Sequence, residues 1–434
     1  MELIDRILSK ENIDAAIKAV ERNKGAAGID KMPVEALRVY FIEHGAEIEQ
    51  QIREKKYKPQ PVRRVYIPKA NGKMRPLGIP TVVDRVIQQA VAQVLSREYE
   101  RYFSDHSYGF RPNRDCHKAI EQVLVYLNEG CEWVIDLDIE KYFDTVNHDK
   151  LISILRERIN DAQVLHLIRS FLRTGVMENG LVSATEEGVP QGGPLSPILS
   201  NVYLDKLDKE LESRGLQFVR YADDCDIFVR SEEAANRVMA SSTSWLERKL
   251  RLKVSASKTK VVRPTNSIFL GFTFWKSPEG WKPKPASDRK AKLCRKVKEI
   301  LCRKRAAALP LGVTFVRLNQ VLRGWLNYFK PGSMKGWLKN EFGPWMRHKV
   351  RVIILKQWKK PRTVYQNLMK LNRKLNCGMP DEAIYKVANS RLGLYKRCGE
   401  VVNCLLSPKV LAMPNKKENR PGLIDPLAYY LSKT

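Results

Sequence analysis

Two groups of aspartates in this sequence are spaced so that they could bind metal ions. Asp223 and Asp224 lie at the turn of an apolar hairpin with the sequence Phe-Val-Arg-Tyr-Ala-Asp-Asp-Cys-Asp-Ile-Phe-Val. A second pair, Asp136 and Asp138, ends an earlier apolar strand pattern. Neighbouring carboxylates repel each other unless a cation neutralises them, and carboxylate oxygens are ligands that Mg²⁺ prefers. The alternative interpretation of the hairpin is a solvated Asp-Asp turn, which is common.

Carboxylates on two strands suit a reaction in which a hydroxyl group attacks a nucleoside triphosphate. Such a reaction uses two divalent ions about 3.5 to 4 Å apart, one at the attacking oxygen and one at the departing pyrophosphate. Residues i and i+2 of a strand share one face. Periodicity therefore leaves open whether Asp136 or Asp138 takes part.

The apolar pattern predicts the elements that would position these aspartates. Between residues 131 and 280, strands alternate with helices. We expect strands over 133–138, 217–219 and 226–229, and a helix that runs from Ser196 at the N-cap and Pro197 at the first position to near Gly215. Ahead of them we expect a helix over residues 1 to about 22, a strand, turn and strand over 63–80 with Asn71-Gly72 as the turn, and a helix over 82–102.

The charge of the chain indicates a polyanionic partner. The 434 residues include 77 Lys and Arg against 48 Asp and Glu, a net charge of +29. Residues 282 to 374 carry 26 of the basic and three of the acidic side chains, so this segment holds +23 of the total. Phe315, Leu318, Leu322, Trp325 and Phe329 form an apolar stripe at helical spacing. This pattern favours a folded nucleic-acid-binding domain over a solvated tail.

The sequence also argues against a membrane or secreted protein. The longest uncharged stretch, Gly188 to Leu204, contains three prolines and is too short to span a bilayer. The N-terminus has no secretory pattern, and the eight cysteines form no Cys-x-x-Cys pair. We expect a cytoplasmic protein without membrane partners and without a structural zinc site.

Several segments, in this order, resemble the motifs of reverse transcriptases encoded by bacterial group II introns, also called maturases. The resemblance runs from about residue 5 to residue 430. The segments are His106–Pro112, Asp138–Asp144, Gly188–Asn201, the Tyr-Ala-Asp-Asp motif at 221–224, Phe269–Phe272, and Arg-Gly-Trp-Leu-Asn-Tyr-Phe at 323–329, which is similar to the maturase-specific thumb or X domain.

The resemblance implies an α+β protein with the right-hand polymerase architecture. Fingers and palm would be followed by an α-helical thumb or maturase X domain and a small basic C-terminal region. The expected domains are 1–130 for the N-terminal extension and fingers, 131–281 for the palm, 282–362 for the thumb, and 363–434 for a DNA-binding (D) region. The chain lacks the paired cysteines of an HNH endonuclease, so it resembles the endonuclease-lacking, group IIC-like members.

The resemblance also implies roles for particular residues. Asp138, Asp223 and Asp224 would be catalytic and would bind two Mg²⁺ ions, with the Ile139 carbonyl as an additional ligand. The expected nucleotide-binding residues are Lys69 and Arg75 at the triphosphate, Gln191 along the nucleotide, Phe143 against a ribose 2′-OH, and Lys258 where relatives carry a lysine proposed to protonate pyrophosphate. The alternatives are exposed hairpin charges for Lys69 and Arg75 and core packing for Phe143.

The expected function is an RNA-directed DNA polymerase that copies intron RNA into cDNA during retrohoming and also binds the intron RNA to assist its splicing. Its partners would be group II intron RNA, an RNA template with a DNA primer, dNTPs and target DNA. Two alternatives are a domesticated relative in DNA repair or phage defence and a splicing-only maturase. The presence of all three aspartates favours an active polymerase.

Overall fold

The computed structural model describes residues 2–68, 72, 74–178, 180–183, 187–415 and 419–433. The chain divides into two compact units, Met1–Ser267 and Ile268–Thr434. The domain boundaries expected near residues 130, 281 and 362 stay predictions.

Ten helices and eight strands of the first unit are described. The helices are α1 (Leu3–Leu8), α2 (Lys10–Asn23), α3 (Leu37–Arg53), α4 (Val82–Glu100), α5 (Cys116–Asn128), α6 (Tyr142–Thr145), α7 (His148–Arg156), α8 (Ala162–Leu172), α9 (Ser196–Ser213) and α10 (Glu232–Trp245). The strands are β1 (Val62–Pro68), β2 (Met74–Ile79), β3 (Trp133–Leu137), β4 (Val176–Glu178), β5 (Leu181–Ser183), β6 (Gln217–Tyr221), β7 (Asp224–Val229) and β8 (Lys260–Val262).

The N-terminal helix expected over residues 1 to about 22 is two helices, α1 and α2. The chain breaks at Ser9, whose hydroxyl accepts a hydrogen bond from the Asn12 backbone N–H and caps α2. The buried Asn12 side chain then donates to the Ile7 and Ala90 carbonyls. A capping serine thus turns a continuous amphipathic pattern into two short helices packed against α4.

The first unit contains two four-stranded sheets. One has the order β2-β1-β4-β5, in which the predicted hairpin β1–β2 is antiparallel and β1 runs parallel to β4. The other has the order β6-β7-β3-β8 and is antiparallel throughout. In its register Asp136 lies opposite both Asp226 of β7 and Lys260 of β8. We call this second sheet the palm sheet.

The palm-sheet side chains that join the large hydrophobic core lie on one face, and the acids lie on the other face with the buried Val134 and Phe228. Ile135 and Leu137 of β3, together with Cys225 and Ile227 of β7, face the large hydrophobic core that also contains α4 and α9. Side chains alternate along a strand, so the aspartates of β3 and β7 lie on the opposite face. The burial of the intervening apolar residues therefore determines where the acids are placed.

Two local predictions differ from the structure. β6 ends at Tyr221 and β7 begins at Asp224, so the hairpin turn between them is shorter than the apolar pattern indicated. The N-cap of α9 is Leu195 rather than Ser196, and the Ser196 hydroxyl donates instead to the Pro190 carbonyl at 2.6 Å. That bond ties the start of α9 to the loop before it.

The second unit is mostly helical. Its strands β9 (Phe272–Ser277) and β10 (Gly280–Pro285) form an antiparallel pair. Its helices are α11 (Ser287–Ile300), α12 (Arg303–Ala306), α13 (Leu311–Tyr328), α14 (Lys335–Trp337), α15 (Gly343–Trp358), α16 (Pro361–Leu375), α17 (Asp381–Asn389), α18 (Leu394–Arg397), α19 (Glu400–Leu405), α20 (Pro408–Ala412) and α21 (Pro426–Leu431).

The predicted apolar stripe lies on and just beyond α13. Phe315, Leu318 and Leu322 are fully buried and Phe329 is nearly so, whereas Trp325 is only partly buried. Arg317 and Arg323 lie on the exposed side of the same helix. The pattern of apolar and basic residues is thus that of a folded domain with a basic surface. In the described part of the chain, no helix is both long and apolar enough to cross a membrane.

Candidate active site

The predicted catalytic aspartates meet at one end of the palm sheet. Leu137 is paired with Cys225, so continuing the antiparallel register places Asp138 opposite Asp224. Asp136 and Asp226 form the preceding pair on the same face. Four carboxylates therefore line this face, and Asp223 adds a fifth at the hairpin turn.

The backbone of Asp138 is held by the segment that follows α10. Its carbonyl accepts a hydrogen bond from the Ser255 N–H at 2.8 Å, and its own N–H donates to the Thr259 hydroxyl at 3.1 Å. Ile139 forms an isolated bridge with Val254. These contacts position Asp138 beyond the end of β3.

Two lysines from the same segment face the acids. The Lys258 ammonium lies 2.8 and 2.9 Å from the two carboxylate oxygens of Asp138. The Lys260 ammonium lies 3.8 Å from the Asp136 carboxylate. Lys258 is thus close to a predicted catalytic carboxylate, and 67% of its side chain remains exposed to solvent.

The crowding of carboxylates changes their acidity. Burial raises the pKa of Asp223, and the charge of Asp138 raises it further, whereas the charges of Arg75 and Lys258 lower it. Asp224 lies at the exposed end of β7, but its carboxyl loses hydration to the surrounding protein. This desolvation, with the charges of Asp223, Asp136 and Asp138, raises the pKa of Asp224 to about 6. The nearby positive charges therefore do not fully neutralise the carboxylates of this cluster.

These residues fit a divalent cation by donor type and by charge. Carboxylate oxygens are hard ligands, and a cation would offset both the burial and the mutual repulsion that raise the pKa values of Asp223 and Asp224. Among the described residues, however, no three His, Cys, Asp or Glu side chains already have an arrangement that could hold a metal ion. Lys258 occupies the Asp138 carboxylate, so an ion bound there would displace its ammonium group.

The structure describes all of the predicted nucleotide-binding residues except Lys69. Arg75 is on β2, close enough to Asp223 to lower its pKa. Phe143 and Gln191 line one open cavity of about 460 Å³. Phe143 also packs edge-on against the buried Tyr142 ring at 5.2 Å, so it contacts both the cavity and the core. Lys69, like Asn71 of the predicted turn, lies outside the described residues.

The loop that carries Gln191 is fixed against the strands of the other sheet. The Gln191 carbonyl accepts a hydrogen bond from the Gly78 N–H at 2.8 Å. Gly192 has a φ of 124°, and a Cβ there would lie 2.5 Å from the Gly78 carbonyl oxygen. A Cβ at position 192 would clash with strand β2, so the contact between this loop and β2 requires glycine.

Sequence reasoning missed several residues around the site. Lys260 and Asp226 extend the charged cluster, and Arg220 lies directly beneath the turn that carries Asp223. Arg220 had a sequence signal, because a basic residue within an apolar strand implies a buried partner. Asp226 shares the strand face of Asp224 at i+2, which was also available from the sequence.

The raised pKa of Asp224 predicts a pH-dependent stability of the metal-free protein. A carboxyl whose folded-state pKa is raised destabilises the fold as the pH rises from its unfolded value of 3.8 through about 6. In EDTA at pH 7.5, Asp224→Asn should therefore raise Tm by about 2 °C. The gain should shrink as the pH falls towards 4. A thermal scan series checks this, and a gain that is equal at every pH would contradict the assigned cause.

Comparison with known families gives the class of the protein. Residues 67–274 match the model of the reverse transcriptase (RNA-dependent DNA polymerase) family, and residues 290–372 match the maturase-specific domain of group II introns. An α+β unit with aspartates at the end of an antiparallel palm sheet, followed by a helical maturase-specific segment, defines a reverse transcriptase of the maturase type.

Similarity to individual proteins shows which group of reverse transcriptases the chain belongs to. The chain is 37% identical to protein YkfC of Escherichia coli K12 over 254 residues, 50% of this chain and 67% of YkfC. It is 44% identical to the group II intron-encoded protein LtrA of Lactococcus lactis over 175 residues, 40% of this chain and 29% of LtrA. The chain belongs to the group II intron-encoded reverse transcriptases and maturases.

The family match confirms the predicted resemblance and the predicted fold class. Reverse transcriptases use divalent metal ions and act on nucleic acids, so both kinds of partner follow from family membership. A solved structure, a partial Cas6-RT-Cas1–Cas2 complex, is 25% identical and covers 57% of this chain and 43% of its own, with a TM-score of 0.37. That TM-score is too low to support any conclusion. The match spans less than a third of LtrA, so the substrates and partners of this chain are considered separately below.

Proposed function

We propose that this protein is an RNA-directed DNA polymerase encoded by a mobile group II intron. It copies intron RNA into cDNA and also binds that RNA to assist splicing and retrohoming. The observation that carries the proposal is the pairing of Leu137 with Cys225 at the end of the palm sheet, because the next residues are Asp138 and Asp224, with Asp223 at the adjoining turn. This arrangement lies within the segment that matches the reverse transcriptase family.

Two Mg²⁺ ions are the proposed cofactors. Asp138, Asp223 and Asp224, with the Ile139 carbonyl, would hold them. When bound, the ions activate the primer 3′-hydroxyl and stabilise charge on the departing pyrophosphate. Lys258, once released from Asp138, would donate a proton to that pyrophosphate, and its side chain is 67% exposed.

The nucleotide would be held from the side of the β1–β2 hairpin. Arg75 and Lys69 would bind the triphosphate, since guanidinium and ammonium groups neutralise phosphate charge. Gln191 would contact the nucleotide from the loop before α9. Phe143 would stand against the sugar, where its ring leaves no room for a 2′-hydroxyl.

Replacing Phe143 tests the proposed sugar selection. Phe143→Ala should raise the use of ribonucleotides relative to dNTPs by about tenfold or more, because the steric block against the 2′-OH is removed. The measurement is the ratio of kcat/KM for a matched ribonucleotide and deoxynucleotide. Tyr142→Phe is the control, since it changes the adjacent buried ring but keeps its packing. An unchanged ratio in Phe143→Ala would leave core packing as the role of Phe143.

The basic second unit would bind the RNA template with its DNA primer, the intron RNA and target DNA. Lysines and arginines dominate residues 282 to 374, and phosphate attraction of this kind is sequence-independent. The C-terminal residues 363–434 would form the DNA-binding region. The bacterial cytoplasm is the proposed compartment.

Primer extension tests the polymerase directly. Purified protein with an RNA template, a DNA primer, dNTPs and Mg²⁺ should extend the primer, and EDTA should stop extension. A splicing assay with the host intron RNA tests the maturase function. A splicing-only maturase would promote splicing without extending primers, and a domesticated polymerase would extend primers but have no intron RNA beside its gene.

A further inference from the structure

A buried arginine lies beneath the turn that carries the catalytic aspartates. Arg220 is the fourth residue of β6, and its side chain is completely buried. It directly follows two buried apolar residues of the strand, Phe218 and Val219. Burying a guanidinium is unfavourable unless each of its donors is matched, so its partners indicate what it does.

The Arg220 side chain joins α9 to the turn. Its Nε and Nη2 donate to the two carboxylate oxygens of Asp208, which is also fully buried. Its Nη1 donates to the Asn201 side-chain oxygen at 3.1 Å and to the Ala222 carbonyl at 2.9 Å. The guanidinium group is therefore bound to α9 through Asp208 and Asn201. Its Nη1 also binds the backbone carbonyl of Ala222, the residue directly before Asp223.

The held residue has an unfavourable backbone conformation. Ala222 has a φ of 59°, in the left-handed region that residues with a Cβ avoid. Such a conformation persists only where surrounding contacts enforce it. The Arg220 bond to the Ala222 carbonyl is one such contact, and it is made from inside the core.

The backbone of Gly109 makes a second contact with the turn. A Cβ on Gly109 would lie 2.4 Å from the Ala222 nitrogen, so the backbone at Gly109 touches the turn. The Asn201 side chain donates to the Gly109 carbonyl at 2.8 Å while accepting from Arg220. Asn201 thus joins both contacts, and both Gly109 and Arg220 touch the turn.

We infer that Arg220 is a positioning residue for the catalytic turn. By holding the Ala222 carbonyl it keeps the left-handed turn that directs Asp223 and Asp224 towards Asp138 and the metal ions. Asp208 and Asn201 hold the guanidinium in the orientation that this requires. The inference rests on the proposed function, because it assigns Asp223 and Asp224 to the metals.

Stability alone does not account for this arrangement. Replacing a buried ion pair by apolar residues of similar volume is often neutral for stability or even favourable. A fully buried Arg–Asp pair is therefore weak evidence for a stabilising role. Removing both charges together separates the role of the pair in positioning the turn from any role in the stability of the fold.

The test is the double variant Arg220→Met/Asp208→Leu, which removes both charges of the buried pair together. Its kcat for primer extension should fall about 10²-fold, as for a misplaced catalytic group, while KM for dNTP and affinity for primer–template stay within about twofold of wild type. In the absence of nucleotide its affinity for Mn²⁺, read by electron paramagnetic resonance of the free ion, should fall about tenfold. Tyr203→Phe is the matched control, because it removes a buried hydrogen bond from the same helix to the Leu250 carbonyl.

A double variant whose kcat and Mn²⁺ affinity both match those of Tyr203→Phe would overturn the inference. If the double variant does not fold, Asn201→Ala replaces it, since that change keeps the Arg220–Asp208 pair and removes the third anchor of Arg220 together with the bond to the Gly109 carbonyl. Asn201→Ala should then weaken Mn²⁺ binding and lower kcat severalfold, and wild-type values for both would overturn the inference. A wild-type protein that binds Mn²⁺ but extends no primer would refute the proposed function, while the Mn²⁺ comparison would still decide the role of Arg220.

Discussion

Replacing Asp223 and Asp224 together by asparagine should lower the rate of primer extension by about 10³-fold or more, equivalent to ~4 kcal/mol of transition-state stabilisation. Asparagine keeps the size of each side chain but removes the charge that would hold divalent ions at the end of the palm sheet. Primer–template affinity should be unchanged or slightly higher, because two negative charges are removed near the phosphates. Single-turnover extension and fluorescence anisotropy measure the two effects separately.

The control for that variant is Asp381→Asn/Glu382→Gln. These two acids are also adjacent in sequence but are exposed at the start of α17. The control should extend primers at the wild-type rate. An Asp223→Asn/Asp224→Asn protein that retains full extension would show that the chemistry occurs elsewhere. In a splicing assay the same variant should remain active, because RNA binding is proposed to depend on the basic second unit.

Neutralising one basic helix face should have the second large effect. Lys292, Arg295 and Lys296 are exposed and lie at i, i+3 and i+4 on one face of α11. Changing all three to glutamine should weaken binding to structured RNA by about 10- to 100-fold at physiological salt. The slope of log K against log salt should decrease by about one for each phosphate that the variant no longer neutralises. Filter binding over a series of salt concentrations measures both quantities.

A matched triple variant separates local from general charge effects. Lys18, Lys206 and Lys209 belong to the first unit, and the last two are paired with Glu157 and Glu212. Changing these three to glutamine removes the same number of charges. The control should bind RNA with nearly wild-type affinity and salt slope. If both triple variants bind RNA equally weakly, net charge, rather than the α11 face, determines binding.

The sequence allowed the core of the site to be predicted because local pattern determines it. The apolar alternation of β3 and β7 requires their aspartates to share the face opposite the core. The hairpin between β6 and β7 could be recognised in the same way, although the strands extend closer to the turn than expected. The choice of Asp138 over Asp136 needed the family resemblance, since the structure places both on that face.

Contacts between distant segments could not be predicted in this way. Lys258 pairs with Asp138, which lies 120 positions earlier in the sequence, and Arg220 of β6 pairs with Asp208 of α9. Neither pairing follows from periodicity, because each depends on how strands and helices pack. Local capping was also misjudged: Ser9 interrupts the first helix, and Ser196 bonds to Pro190 rather than capping α9.

The most direct test of the central claim is to sequence the DNA made by the wild-type protein on an RNA template of arbitrary sequence. A 5′-labelled DNA primer, the RNA template, four dNTPs and Mg²⁺ are the only other components. We expect DNA that begins with the primer and continues as the complement of the RNA to its 5′ end, with none formed by Asp223→Asn/Asp224→Asn. Primer that stays unextended although the protein binds the primer–template duplex, or DNA that does not follow the template, would contradict the central claim.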